Sequence, residues 1–138
     1  MLRIVADTNV YISALNFAGT ADEVLALGRA RIIEIFISRA ILEEIEGVLL
    51  RKFRWTAPRT REAIRAIRNF AVIVDPVEVI DILTEDEPDN RILECASAAG
   101  AALIVTGDQH LLRLGSFRDI RITSLRQFLD VEMKRGPI

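Results

Sequence analysis

The chain has 138 residues, 51% apolar and 28% charged, with 7 Gly and 4 Pro, which excludes a disordered or fibrous protein and leads us to expect a single domain over residues 1–138. Eighteen basic residues against twenty acidic ones give a net charge of −2, which excludes a coat on nucleic acid held by bulk electrostatics and leaves only local phosphate contacts. Leu2 to Ala6 lacks the basic lead-in of a secretory signal, and the uncharged stretch Thr8 to Ala21 falls short of a membrane span, so a soluble, cytoplasmic protein is expected.

In chain order, LRIVA from Leu2 is a continuous apolar run that stops at Asp7-Thr8-Asn9, the pattern of a central strand buried on both faces. Val10, Ile12, Ala14 and Leu15 predict a short helix. Thr20 and Glu23 then have the spacing of a capping box before Val24, Leu25 and Leu27. IIEIFI, Ile32 to Ile37, predicts the next strand, and Ser38 is placed to cap a helix whose Ile41, Leu42, Ile45, Val48 and Leu49 form one apolar stripe. Pro58 stands near the first turn of another helix, with Ala63, Ile64 and Ile67 inward, followed by a strand in AVIVD from Ala71.

TEDEPDN, Thr84 to Asn90, is a turn-rich lead into a helix whose face carries Ile92, Leu93, Ala96 and Ala99, with Gly100 as its C-cap. Cys95, set among alanines on that helix, reads as a small buried hydrophobe. ALIVT from Ala102 predicts a further strand. After Gly107-Asp108, QHLLRL predicts a short helix, RIT at Arg121 a last strand, and Ser124 the cap of a terminal helix, while MKRGPI is expected to fray.

Strands alternating with helices imply right-handed crossovers, hence an α/β fold: a three-layer α/β/α sandwich around a mostly parallel sheet of four to five strands. Ligands of such sheets sit beyond the carboxyl ends of the strands. Asp7 and Asp108 stand there, although either serves equally well as the cap of the helix that follows it. Glu44, three residues after Ile41 and four before Val48, borders the buried stripe of its helix. Glu43 and Glu46 suit the solvated face, and a small rotation would exchange Glu44 for Glu43. Asp89, three before Ile92 and four before Leu93, falls on the core-facing side of a helix start, where an acid also complements the helix dipole.

Four acids in a partly buried cleft repel one another unless protons or cations offset them. Mg²⁺ or Mn²⁺ prefers carboxylate and water oxygens, and a pair about 4 Å apart activates water and stabilises the leaving oxygen in phosphodiester cleavage. One His and one Cys are too few for an ordinary zinc site.

Three segments, VADTNVYIS, SRAILEEIEGVLLRKF and DEPDNRILECASAAGAALIVTGD, together resemble the PIN-domain nucleases, especially the VapC-like toxins of toxin–antitoxin pairs. The resemblance runs from Leu2 to about Leu129. It implies metal ligation by Asp7, Glu44, Asp89 and Asp108, with Asn9 and Thr106 as polar neighbours. It also implies single-stranded RNA as substrate, a cognate antitoxin as partner and a homodimer. Where many relatives have two acids before the Asn, this chain has Pro88-Asp89, so only Asp89 fills the ligand position.

Asn9, two residues after Asp7, departs from the haloacid-dehalogenase phosphatases, which place a second Asp there. Neither phosphate-cradling glycine motif, G-x-x-x-x-G-K-[ST] or G-x-G-x-x-G, is present. His110, alone near a helix start, is assigned no role. The basic run Arg51, Lys52, Arg54, Arg59, Arg61, Arg65 and Arg68 reads as a solvated helix face or as a phosphate-tracking rim, and Phe53 and Trp55 within it as core or dimer contacts before base-stacking platforms. The rival readings are a non-catalytic RNA- or protein-binding module and a housekeeping RNA-processing nuclease.

Overall fold

In a computed structural model, residues 1–83 and 87–132 are described. The first strand, β1 (Leu2–Ala6), carries three successive residues, Ile4, Val5 and Ala6, with no exposed surface. Successive side chains of a strand point to opposite faces, so both faces of β1 are covered and the sheet is the middle of three layers. β2 (Ile33–Ser38) and β4 (Leu103–Val105) are sealed in the same way, which is why each strand carries an apolar run, IVA, IFI and LIV, while the charged Arg3 and Glu34 pair at the start of β1 and β2.

The remaining strands are β3 (Val72–Val74), β5 (Ser116–Phe117) and β6 (Ile120–Thr123), in the spatial order β3-β2-β1-β4-β6-β5. All neighbouring pairs are parallel except β5 with β6. The α/β expectation holds, with six strands among the described residues where four to five were expected. The additional strand is the two-residue β5, joined to β6 through Arg118 and Asp119, with Arg118 at φ 56.

The helices are α1 (Thr8–Asn16), α2 (Thr20–Arg29), α3 (Arg39–Arg51), α4 (Ala57–Phe70), α5 (Asp89–Ala99), α6 (Gln109–Leu114) and α7 (Leu125–Gln127), which runs into a π-helical turn at Phe128–Glu132. α5 packs across β1, β2, β3 and β4, and α3 packs on β2, α1 and α5. Among the described residues no helix is long and apolar enough to cross a membrane.

Gly100 ends α5 in the left-handed conformation, φ 61, as its C-cap position requires. The capping box at Thr20 does not form. Thr20 is already the first helical residue, and Gly19 takes the cap position at φ 152, a conformation closed to a threonine. Residues 84–86 of the turn-rich lead expected from Thr84 to Asn90, and the MKRGPI tail, lie outside the described residues.

The basic run is exposed, from Arg51 and Lys52 through Arg68. Within it Phe53 and Trp55 are half-buried against the core, and the Arg59 guanidinium lies 3.6 Å from the centre of the Trp55 ring. That face of the indole is therefore occupied by a cation–π contact.

Candidate active site

Asp7 follows β1 directly. Since Ala6 pairs with Val105 and Val5 with Phe36, continuing the register places Ser38, Asp7 and Thr106 in one row across the carboxyl edge of the sheet. Helices leave from this edge. Asp7 caps α1, Ser38 caps α3, Asp108 caps α6 and Ser124 caps α7, each accepting a backbone N–H through its side chain. Each of these acids therefore serves both as a cap and as a group facing the edge.

Asp7 is only 2% exposed. Its Oδ1 accepts from the Val10 N–H at 3.0 Å, and its Oδ2 accepts from the Thr106 hydroxyl. Burial pushes its pKa above the ordinary carboxylate value and the Asp108 charge adds to the rise, against hydrogen bonds from Thr106, Val10 and Gly107. Thr106, fully buried, also accepts the backbone N–H of Asp108 at 2.9 Å, so one hydroxyl links the ends of β1 and β4.

Asp108 Oδ1 accepts the N–H groups of His110 at 2.8 Å and Leu111 at 3.1 Å. Burial raises its pKa, but a hydrogen bond with the Asp89 carboxyl, the two α6 N–H groups and the His110 imidazole outweigh that and hold it below the ordinary value. Asp89, the first residue of α5, is half-buried. Two carboxylates this close repel one another unless a proton or a cation offsets them, so the donor set fits a hard metal ion.

Among the described residues, the acids and histidine whose ligand atoms all lie within 4.8 Å of one another are Asp89, Asp108 and His110. Asp7 is tied to them through Thr106. Glu44 is half-buried on α3, while its neighbours Glu43 and Glu46 are exposed. It does not join the close cluster, but its helix packs against α1 and α5, which start at Asp7 and Asp89. Asn9 is exposed and, with Val10, Ser13, Asp108, Gln109, His110 and Leu125, lines a cleft of about 500 Å³.

Two residues of the site carry little signal in the sequence. His110, a lone histidine there, stands in the first turn of the helix that Asp108 caps. Asn90 is fully buried, and its side chain binds the backbone of Ile82 and Leu83, tying the segment before α5 to the helix start. Only its place beside Asp89 could have marked it. Cys95 is the small buried group expected, its thiol pushed up to about 12 by burial, against a hydrogen bond from Ser38.

Comparison with known proteins agrees with this geometry. The family model described as PIN domain matches residues 3–110, a span that contains Asp7, Glu44, Asp89, Asp108 and His110. The chain is 33% identical over 118 residues to the uncharacterized protein MJ1680 of Methanocaldococcus jannaschii, covering 82% of this chain and 75% of that protein. It also resembles a chain in the crystal structure of VapBC2 from Rickettsia felis bound to a DNA fragment from their promoter. The TM-score is 0.63 at 14% identity, covering 89% of this chain and 98% of that one, and the likeness shows the shared fold.

Proposed function

On the premise that this chain belongs to the PIN-domain family of nucleases, we propose that it is a Mg²⁺- or Mn²⁺-dependent endoribonuclease acting on single-stranded RNA, as the toxin of a toxin–antitoxin pair. The observation that carries the reading is the close approach of Asp89, Asp108 and His110, whose ligand atoms lie within 4.8 Å of one another, beside the buried Asp7. Acids brought this close at one sheet edge, one of them buried, fit a cation site better than a structural role.

Asp7, Asp89 and Asp108 would hold the ions, with Glu44 as a fourth carboxylate from α3. When bound, the metal supplies a Lewis acid at the phosphate and a water of lowered pKa. The protein's own part is positioning. Thr106 and the Val10 N–H fix both oxygens of Asp7, and the first turn of α6 fixes Asp108. The cleft beside them has the size of a small-molecule site and offers amide, hydroxyl and imidazole groups with two apolar side chains, suited to one unpaired nucleotide.

The resemblance supports the rest of the proposal: one domain, a homodimer in the cytoplasm, and an antitoxin that blocks the cleft by inserting a basic side chain among the acids. The reading is tested by incubating a single-stranded RNA with the purified protein and its Asp7→Asn variant. Cleavage by the wild type and none by the variant is expected. Equal cleavage by both would overturn it.

A further inference from the structure

We propose that His110 is itself a ligand of the metal, supplying one nitrogen beside the oxygens of Asp89 and Asp108, and that it biases the site toward Mn²⁺ over Mg²⁺. This rests on the metal-dependent reading above and assigns the site a ligand that the four acids do not include.

Three observations carry it. First, one ring nitrogen of His110 and one oxygen each of Asp89 and Asp108 lie within 4.8 Å of one another. An ion with bonds of roughly 2.1 Å gathers its ligands to within about 4 Å, so small side-chain movements suffice. Second, the backbone holds the ring there. Asp108 caps α6 by accepting the His110 N–H at 2.8 Å, and the same oxygen is 3.7 Å from Nδ1 of that histidine, so carboxylate and imidazole lie on one side of the helix start. Third, His110 is half-buried and lines the cleft together with Asp108 and Asn9, so an ion arriving from solvent meets it.

The chemical consequence is metal preference. Mg²⁺ takes oxygen ligands and gains little from imidazole, whereas first-row transition ions bind nitrogen increasingly well from Mn²⁺ onward. Two carboxylates and one imidazole therefore shift the balance to Mn²⁺ without reaching the ligand set of structural zinc.

His110 is the chain's single histidine, which makes the test unambiguous. The full chain, without a histidine tag, is loaded with Mn²⁺ and studied by pulsed electron paramagnetic resonance, once with natural histidine and once with ¹⁵N-histidine. Direct nitrogen coupling that changes with the isotope is expected, together with about a tenfold weaker Mn²⁺ affinity and a Mg²⁺ affinity within about twofold in His110→Ala, by calorimetry. Mn²⁺ bound to the wild type with no imidazole coupling would overturn the assignment and leave the nuclease reading standing. No Mn²⁺ binding at millimolar concentration would overturn both. The isotope experiment requires no variant to fold.

Discussion

Thr106 donates its hydroxyl to Asp7 across the boundary between β1 and β4, and both side chains are buried. Because the same hydroxyl accepts the Asp108 N–H, the acids at the ends of two adjacent strands share one small polar support. The site thereby inherits the rigidity of the middle of the sheet, since Ala6 and Val105 beneath it are paired and fully buried.

Replacing that support has a defined outcome. Thr106→Val keeps the shape and removes the hydroxyl, which leaves Asp7 and the Asp108 N–H short of a partner and should destabilise the fold by about 1–3 kcal/mol. Thr106→Ser should recover most of this. Urea denaturation of the three proteins measures it, and a valine variant as stable as the wild type would show that the link carries no weight.

Asp7 makes the metal-free fold sensitive to pH. Its pKa is raised above 3.8 by burial, so from that value upward the unfolded chain loses its proton before the folded one does. Stability therefore falls as pH rises through this window and stays reduced above the folded pKa. Asp7→Asn, which can still cap α1, should melt higher than the wild type at neutral pH without metal. The gap should close as the pH falls towards the unfolded value. Thermal melts in EDTA across pH read this, and a variant that melts lower throughout would contradict it.

Tyr11 is completely buried, and its hydroxyl has no hydrogen-bond partner among the described residues. Burial pushes its pKa well up, helped by nearby Cys95 and Asp7. Tyr11→Phe removes a polar group that burial disfavours, so stability should stay level or rise by about 1 kcal/mol. A loss larger than that, by chemical denaturation, would show that the hydroxyl has a partner.

Much of the fold was legible because β1, β2 and β4 are covered on both faces where IVA, IFI and LIV run, each run stopping at a polar residue. The caps Ser38 and Ser124 were legible for a local reason: each hydroxyl stands three residues ahead of the helix N–H it accepts. β5 escaped because two residues hold no periodicity, and its pairing depends on the turn at Arg118. Thr20 misled because the spacing of a capping box does not reveal that Gly19 already occupies the cap. In the site, strand-end logic found Asp7 and Asp108. The approach of His110 to Asp89 was not legible, because they lie on different helices, α6 and α5, on either side of β4, and sequence spacing does not show how these elements fold back on one another.

Glu44 has the least local support, since its placement rests on the packing of α3 against α1 and α5. Glu44→Gln should reduce RNA cleavage about a hundredfold, in the range of losses seen when the surroundings of a metal site are altered. Exposed Glu43, changed to Gln, should leave cleavage within about twofold. Initial rates at saturating Mn²⁺ compare them, and a reversed order would transfer the role to Glu43.

The central claim, that the acids at the ends of β1, β4 and α5 form the metal site of a ribonuclease, is tested most directly by the rate of cleavage of a single-stranded RNA through one cycle of metal removal and return. Cleavage should stop in EDTA, resume when Mn²⁺ is added in excess, and fail to resume in Asp108→Asn. Cleavage that continues in EDTA, or that Mn²⁺ restores equally in the variant, would contradict it.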